Sequence, residues 1–286
     1  MYLDYYNLNE YPFAISCDAR FFYESAVHRE ALANMQYTID QRKGMVLVTG
    51  EIGAGKTFLG NMLARRLGVG AATVLVAHPP RSGKQLLRAV ATRCGMTVNG
   101  TSDVSSLADA LEEHLERIHR RGRTVALIVD EAQDLTPGAL EELRLMWNWE
   151  REGQRLLQII LIAQPELRDI LLEPRWEALR QRIVLSYHLG PLTTDDTAAY
   201  IAHRLNVASD GRCLADFTTE AVRTIHDASD GIPRLINTMC DNSLLAAYAK
   251  GVYRIYADLV TEILRDMTCW NAGIAQPAPS GRPETD

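Results

Sequence analysis

The feature that most constrains this chain is the segment 50–57, GEIGAGKT, which matches the pattern G-x-x-x-x-G-K-[ST]. The apolar run 45–49 directly precedes it, and an amphipathic helical pattern over 58–67 follows it. Glycines in such a turn let backbone N–H groups converge on phosphate groups, helped by the positive end of the following helix. The sequence therefore predicts a phosphate-binding loop between a buried strand and a helix.

Residues of this loop are expected to contact a nucleotide, and two of them have specific roles. Lys56 is expected to reach the β- and γ-phosphates of ATP, and the Thr57 hydroxyl to ligate Mg²⁺. The alternative is a chance glycine-rich turn, which a chain of this length would contain roughly once in a hundred. The residues expected to bind the nucleotide here are Gly50, Glu51, Ile52, Gly53, Ala54, Gly55, Lys56, Thr57 and Phe58.

Short apolar runs alternate with amphipathic helical patterns up to about residue 191. Continuous apolar runs of strand length suit strands buried on both faces of a parallel sheet, and strands that alternate with helices form right-handed βαβ units. The sequence therefore predicts an α/β fold, followed by a smaller part with helices only. The predicted strands are 45–49, 73–77, 125–129, 156–162 and 183–187. The predicted divisions are an N-terminal segment packing on the nucleotide site (1–44), the α/β core (45–191), a helical domain (192–268) and a disordered tail (269–286).

A second motif ends the third apolar run, where VALIVDE spans 125–131. Two adjacent carboxylates at the end of a buried strand are costly unless a cation such as Mg²⁺ lies near them. Asp130 is then expected to hold the metal, and Glu131 to polarise the attacking water as a general base. The alternative is a strand that ends in a charged loop, which is less favoured because the phosphate-binding loop lies upstream.

Three further places carry side chains that can act on a phosphoryl group. Gln164 follows the next strand, where it either touches the γ-phosphate or its water, or simply enters the following helix. Arg175, Arg180 and Arg182 precede the last strand, where one of them stabilises a phosphoryl group in trans or all of them form a solvated helix face. Arg234 opens a helix of the second domain, where it either closes over the nucleotide or pairs at the surface.

The bulk composition excludes few functions. The net charge of −6 at pH 7 gives no global reason to expect nucleic acid as a partner, although a local basic groove is compatible with it. No apolar run reaches the ~20 residues that span a bilayer, and the N-terminus lacks the pattern of a secretory signal. The five cysteines are scattered and show no CxxC spacing. These features predict a cytosolic protein with reduced thiols.

With these residues in place, the chain resembles AAA+ ATPases, and within them the ExeA/GspA-like group associated with bacterial secretion and export. The resemblance covers about residues 2–268 and rests on the order of its motifs. Those motifs are 5–13 (YYNLNEYPF), 21–23 (FFY), 28–32 (HREAL), 49–57 (TGEIGAGKT), 130–135 (DEAQDL), 163–167 (AQPEL), 179–183 (LRQRI) and 231–237 (GIPRLIN). Members of that group often continue into a transmembrane segment and a peptidoglycan-binding domain, whereas this sequence ends in a short Pro-rich tail.

The resemblance implies a three-layer core around a parallel sheet, with a small all-helical lid. It implies an activity that converts ATP and water to ADP and phosphate, with Mg²⁺ as cofactor. It places Gln164 in the sensor 1 position and Arg234 in the sensor 2 position. Arg182 becomes the arginine finger given to the next subunit, with Arg180 as the alternative.

The resemblance also implies that the N-terminal segment lies against adenine. The residues expected near the base are Tyr11, Pro12, Phe13 and His28.

Several functional hypotheses stay open at this point. The first is a cytoplasmic, homo-oligomeric accessory ATPase of a secretion, pilus or exopolysaccharide-export system, which acts on a protein client and meets the inner membrane only through a partner. The second is a DNA-associated regulator of transposition, since the core also resembles ATPases of the TniB and TnsC type. The third is a nucleotide-sensing scaffold with slow hydrolysis. The residues that can form a DNA-binding stripe are Arg81, Lys84, Arg88 and Arg93 in one helix, and Arg117, Arg120, Arg121 and Arg123 near the end of another.

Overall fold

The computed structural model describes residues 2–15, 18–68, 70–98 and 103–272 of the chain, with side chains as far as residue 267. It divides into two compact units, one formed by Met1–Ser16 with Leu192–Asp286 and the other by Cys17–Pro191. We call them the helical unit and the α/β unit. The predicted N-terminal segment 1–44 is therefore not one piece, because its first part is built into the helical unit and the rest into the α/β unit.

The elements follow one another in the alternation that the sequence predicts. The helices of the described ranges are α1 Tyr2–Tyr6, α2 Ala26–Asp40, α3 Lys56–Leu67, α4 Gly83–Arg93, α5 Val104–Arg120, α6 Pro137–Trp147, α7 Glu166–Leu172, α8 Glu177–Arg180, α9 Thr194–Ser209, α10 Thr219–Ser229, α11 Pro233–Ala249 and α12 Ala257–Ala272. The strands are β1 Met45–Gly50, β2 Ala71–Val76, β3 Thr124–Val129, β4 Glu150–Arg151, β5 Gln154–Arg155, β6 Leu157–Ala163, β7 Ile183–Leu189, β8 Asp216–Phe217 and β9 Arg254–Ile255.

The α/β unit is built on a five-stranded sheet in the order β2-β3-β6-β1-β7. Every neighbouring pair is parallel, with Met45 of β1 opposite Ile159 of β6 on one side and Ile183 of β7 on the other. Each of the five predicted strands overlaps one of these strands, and the bounds differ by no more than two residues at any end, so the predicted parallel α/β fold is confirmed. The carboxyl ends of β1, β3 and β6 meet at one edge, which brings the loops after these strands together.

Helices cover both faces of the sheet and make three layers. On one face, α4, α5 and α6 bury apolar side chains such as Leu86, Leu111 and Leu143 against the strands. On the other face, α2 and α3 bury Leu32 and Leu63. Burying each such side chain stabilises the fold by about 1.5–3 kcal/mol relative to leaving it in water, which explains why the strands read as unbroken apolar runs.

The helical unit contains α1 and the four helices from α9 to α12. Thr193 and Thr218 accept hydrogen bonds from the first turns of α9 and α10, as expected from their position before an acidic helix start. The prediction of helices only is wrong in one detail, because Asp216–Phe217 and Arg254–Ile255 pair as two short parallel strands.

One glycine of this unit has a conformation that other residues rarely adopt. Gly231 has a φ of +69°, and a Cβ atom there would lie 2.2 Å from the carbonyl oxygen of Leu192. Its own carbonyl accepts the N–H of Leu192 at 2.9 Å. The close approach of the two backbones therefore requires glycine at this position.

The first residues of the predicted disordered tail are helical in the structure. The helix α12 continues to Ala272, so residues 269–272 are helical, and the remainder of the predicted disordered tail lies outside the described residues. None of the helices in the described ranges is both long enough and apolar enough to cross a bilayer.

Candidate nucleotide-binding site

The loop between β1 and α3 has the backbone that phosphate binding requires. Gly53 and Gly55 have φ angles of +86° and +94°, a region that glycine enters without the steric cost borne by other residues. A Cβ atom on Gly50 would lie 2.8 Å from the carbonyl oxygen of Leu189, so glycine also lets the loop leave the sheet close to β7. The α3 helix starts at Lys56 behind a residue that has no side chain to cap it, which leaves the positive helix end to a bound anion.

Lys56 is held at the loop by the carbonyl groups that precede it. Its side chain is buried, and Nζ donates to the carbonyl oxygens of Gly50 at 2.8 Å and Glu51 at 2.9 Å. Burial lowers the pKa of Lys56, while the nearby Glu131 and Asp130 carboxylates oppose that shift. The ammonium group therefore lies at the place where the sequence predicts contact with phosphates, next to the two carboxylates that follow β3.

Thr57 and Asp130 lie together, although 73 positions separate them in the chain. The side chain of Asp130 is buried, and its Oδ1 accepts the backbone N–H of Glu131 at 3.0 Å. Burial raises the pKa of Asp130, whereas the nearby Thr57 hydroxyl and the Glu131 N–H act in the opposite direction. A hydroxyl and a buried carboxylate are hard oxygen ligands of the kind that Mg²⁺ prefers, so the pair fits the predicted metal site.

Glu131 is fixed by two glutamine side chains. It has left-handed backbone angles (φ +50°, ψ +42°) two positions after the end of β3. Its Oε2 accepts a hydrogen bond from Gln133 Nε2 at 2.7 Å and one from Gln164 Nε2 at 3.4 Å. The structure thus places Gln164 beside the predicted general base, since both residues follow neighbouring strands of the sheet.

Gln133 is a functional candidate that the sequence reasoning missed. Its Oε1 accepts the backbone N–H of Gln164 at 2.9 Å, so its amide connects the ends of β3 and β6. The segment DEAQDL was singled out for its resemblance, but no role was assigned to its glutamine. The signal was its position two residues after Glu131, which the short 3-10 turn Ala132–Asp134 folds back over the carboxylate.

An aromatic group lies beside the loop. The His28 side chain is buried, and its Nε2 would lie 3.2 Å from a Cβ atom placed on Gly55. The ring of Phe22 stacks on Phe58 with centroids 5.1 Å apart and meets His28 edge-on at 5.4 Å. His28 and Phe58 are therefore next to the predicted nucleotide site, and Phe22 joins them without having been predicted.

The arginines before β7 make different contacts within the α/β unit. The Arg182 guanidinium donates to the Ala178 carbonyl and, at 3.2 Å, to Asn148 Oδ1, and it lies 5.1 Å from the ring centroid of Trp147. Arg180 donates to the Leu171 carbonyl oxygen at 3.1 Å.

Arg175 pairs with Glu173 at 2.8 Å and lies over the ring of Trp176. Since these contacts are internal to one chain, an arginine finger from this group has to exchange them for a contact with another subunit.

The remaining predicted residues lie in the helical unit. Tyr11 is exposed, and Arg234 is exposed at the first turn of α11. Phe13 is buried and meets Phe217 edge-on at 6.4 Å, so it belongs to the hydrophobic core of this unit. The buried Arg204 donates to the carbonyl oxygens of Pro12 at 2.5 Å and Ala14 at 3.0 Å, and this anchor of the N-terminal segment had not been predicted from the sequence.

Comparison with known proteins gives the same assignment of the fold. Residues 39–171 match the family model described as AAA domain. The chain is 38% identical to general secretion pathway protein A of Aeromonas hydrophila over 96% of its own length. It spans about half the length of that relative, 51%.

Two solved structures with low sequence identity share the fold. The Aeropyrum pernix ORC2 protein superposes with a TM-score of 0.65 at 16% identity, covering 87% of this chain and 72% of that one. Drosophila ORC bound to DNA gives a TM-score of 0.62 at 19% identity, covering 93% of this chain and 65% of that one.

Proposed function

We propose that this chain, which is an AAA domain protein with the AAA+ fold, binds Mg²⁺ and ATP at its glycine-rich loop and hydrolyses the nucleotide. The observation that carries the proposal is the meeting of Lys56, the Thr57–Asp130 pair and the Glu131–Gln164 pair at the carboxyl edge of one parallel sheet. Each of these groups has a distinct task in phosphoryl transfer to water.

Each of these residues of the α/β unit has a separate role in the proposed reaction. Lys56 and the N–H groups of the loop bind the phosphates. Thr57 and Asp130 would hold Mg²⁺, which supplies positive charge to the phosphate oxygens when it is bound. Glu131 accepts a proton from water as the water oxygen bonds to the γ-phosphorus, and the bond between that phosphorus and the oxygen of ADP breaks. The products are ADP and inorganic phosphate.

An arginine finger, a sensor arginine and the residues expected near adenine complete the proposed site. We assign Arg182, with Arg180 as the alternative, to the phosphoryl group of the neighbouring subunit in a homo-oligomer. Arg234 is assigned to the γ-phosphate as sensor 2. Tyr11, Phe13 and His28 are assigned to adenine, with Phe13 acting by shaping the segment that carries Tyr11, since its own ring is buried.

We propose that the ATPase serves a bacterial secretion, pilus or exopolysaccharide-export system. The identity of 38% with general secretion pathway protein A, over 96% of this chain, supports this role. In this role the protein is cytoplasmic, acts on a protein client of the export system and reaches the inner membrane only through a partner.

ATP turnover by the purified protein, measured over a range of protein concentrations with and without duplex DNA, tests this proposal. A specific rate that rises with protein concentration and is unchanged by DNA supports a self-assembling ATPase with an arginine supplied in trans. A rate that appears only with DNA would replace the export role with the DNA-associated one. Absence of turnover under every condition would leave a nucleotide-sensing scaffold.

A specific observation favours DNA as the second candidate partner. Basic residues precede three neighbouring strands, and so gather at the edge of the sheet opposite the nucleotide loop, about 20 Å from it. We call this surface the basic edge, and it comprises Arg42, Lys43, Arg117, Arg120, Arg121, Arg123, Arg151 and Arg155. They outnumber the acidic residues close by in the chain, which are Asp40, Glu116, Glu150 and Glu152. The chain is acidic overall, so the edge is a local exception.

Side-chain contacts connect the chain segments that form the basic edge. Arg42 bonds His119 Nδ1 at 2.5 Å and Gln154 Oε1 at 2.7 Å, which joins the loop before β1 to α5 and to the β4–β5 hairpin. Glu116 pairs with both Arg120 at 2.6 Å and Arg151 at 3.0 Å. The other predicted stripe is less coherent, since Arg81 lies before α4. Guanidinium groups held in fixed positions suit phosphate groups, which they bind through paired hydrogen bonds.

Electrophoretic mobility shift at low and high salt tests this second candidate. We expect a triple variant with Arg117, Arg121 and Arg123 changed to Ser to lose DNA binding, since these exposed side chains supply much of the charge. Binding by the unchanged protein should weaken steeply between 50 and 200 mM salt, as phosphate contacts do. Equal binding by the triple variant would exclude this part of the basic edge as the DNA site.

A further inference from the structure

Gln133 connects the general base to the neighbouring strand through both ends of its amide. Its Nε2 lies 2.7 Å from Glu131 Oε2, and its Oε1 lies 2.9 Å from the backbone nitrogen of Gln164. The side chain is half-buried at the carboxyl ends of β3 and β6. This bridge adds to the direct hydrogen bond from Gln164 Nε2 to Glu131 Oε2 at 3.4 Å.

The orientation of this amide follows from its partners. The backbone N–H of Gln164 can only donate a hydrogen bond, so the group that faces it must be the amide oxygen of Gln133. The NH₂ group then faces the Glu131 carboxylate, which in its ionised form can only accept. Each end of the amide meets its complement, and a reversed amide would lose both hydrogen bonds.

The same contacts leave one oxygen of Glu131 for the reaction. Oε2 accepts from Gln133 and from Gln164, while Oε1 makes neither of these bonds. A general base needs its accepting atom aimed at the proton it removes. A side chain in left-handed backbone geometry, held by one oxygen, presents the other in a fixed direction.

We infer that Gln133 is a positioning residue for ATP hydrolysis, which orients Glu131 and ties it to the end of β6 without touching the nucleotide. The inference rests on the proposed function, because it requires Glu131 to act as the base. It adds a residue whose loss should lower turnover while leaving nucleotide affinity intact. Because the Gln133 amide also accepts a hydrogen bond from the backbone of Gln164, a movement at the end of β6 would change the position of the Glu131 carboxylate.

The substitution Q133E separates positioning of the base from support of the strand. Glutamate has the same shape and keeps an oxygen for the N–H of Gln164, but it turns an oxygen instead of an NH₂ group toward Glu131. If Gln133 positions the base, kcat should fall by about tenfold or more, up to the full contribution of a general base, which is about 10²–10⁴-fold. The Kd for ATP should stay within about twofold of the unchanged protein. A kcat within twofold of the unchanged protein would overturn the inference.

A double-mutant cycle shows whether Gln133 acts through Glu131. Q133M removes the amide at similar length, and we expect it to lower kcat in the unchanged protein but by less than twofold in the E131Q background. The same fold-loss in both backgrounds would mean that Gln133 acts independently of the base. Q85M is the matched control, because the Gln85 amide bonds a loop N–H at the start of α4.

Failure of the inference and failure of the proposed function give different results. If E131Q alone hydrolysed ATP at the unchanged rate, the general-base assignment would be wrong, whatever Gln133 does. If E131Q lost turnover while Q133E and Q133M did not, only the role of Gln133 would be rejected. Thermal unfolding of each variant checks folding, and Q133E preserves the side-chain volume should Q133M prove unstable.

Discussion

The predicted functional residues lie in different environments in the two units. In the α/β unit, Lys56 comes from one motif and the adjacent Asp130 and Glu131 from another, and both carboxylates lie near enough to the ammonium group to oppose the lowering of its pKa by burial. In the helical unit, Phe13 is absorbed into the core, whereas Tyr11 and Arg234 are exposed. The predicted residues of the α/β unit therefore lie close together, whereas Tyr11 and Arg234 of the helical unit have exposed side chains whose proposed contacts form only when the nucleotide binds.

The sharpest test of this contrast is the base of the α/β unit. We expect E131Q to lower ATP turnover by about 10²–10⁴-fold, because the amide cannot take the proton from water. Binding of ATP should persist, so the variant should trap the nucleotide. Turnover and equilibrium binding are measured side by side, with E142Q as the control for a half-buried carboxylate on α6. An equal loss in the control would point to general destabilisation.

The next largest effect is expected at the glycine-rich loop. K56A removes a buried ammonium group that is predicted to meet phosphates, which corresponds to about 2–5 kcal/mol of binding free energy, or at least a 30-fold rise in the Kd for ATP. A fluorescent nucleotide titration measures it, and K84A on α4 is the matched control. If K56A bound ATP as tightly as the control, the loop would not be the phosphate site.

A smaller effect is expected from the exposed arginine of the helical unit. R234A should reduce turnover by about 10- to 100-fold, which corresponds to the loss of one charge-assisted hydrogen bond. The Kd for ATP should change by a smaller factor. The control is R223A, an exposed arginine on α10 of the same unit. Unchanged turnover in R234A would confine the chemistry to the α/β unit and so strengthen the contrast between the two units.

The smallest effect should come from the N-terminal segment. Y11A is expected to weaken ATP binding about fivefold, corresponding to the lower end of base-stacking energies. Tyr256 has a similar exposed fraction in the same unit, 55% against 54% for Tyr11, so Y256A is the control. Equal affinities for ATP in Y11A and Y256A would remove Tyr11 from the adenine contacts.

The α/β unit could be predicted so fully because its signals are local. The loop 50–57 carries its own backbone requirements in its glycines, and the strands of the five-stranded sheet are mostly apolar. Parallel strands place their carboxyl ends at one edge of the sheet. Because β3 and β6 are neighbours, Asp130 and Gln164, which follow them, lie close together at that edge. The helical unit gave weaker signals, because caps such as Thr218 mark where a helix starts but not what its exposed face contacts.

The residues that escaped prediction all act through partners distant in sequence. Gln133 is distinguished by the hydrogen bond that it accepts from the backbone of Gln164, 31 positions away. Arg204 is distinguished by the hydrogen bond that it donates to the Pro12 carbonyl, 192 positions away. Their residue types are common at surfaces, so the sequence alone does not assign these long-range contacts to them. The basic edge likewise forms only because the loops before β1, β3 and β6 are brought together by the sheet.

By itself, the sequence determined the α/β fold and the position of the glycine-rich loop, and it predicted Lys56, Thr57, Asp130 and Glu131 as the chemical groups of the proposed site. These follow from short-range rules on backbone freedom, apolar period and charge at strand ends. The tertiary structure alone decided the assignment of the N-terminal residues to the helical unit, the burial of Phe13 and the amide bridge of Gln133. Each of these depends on packing between segments far apart in the chain, where many pairings are compatible with the same local pattern and only the folded arrangement selects one.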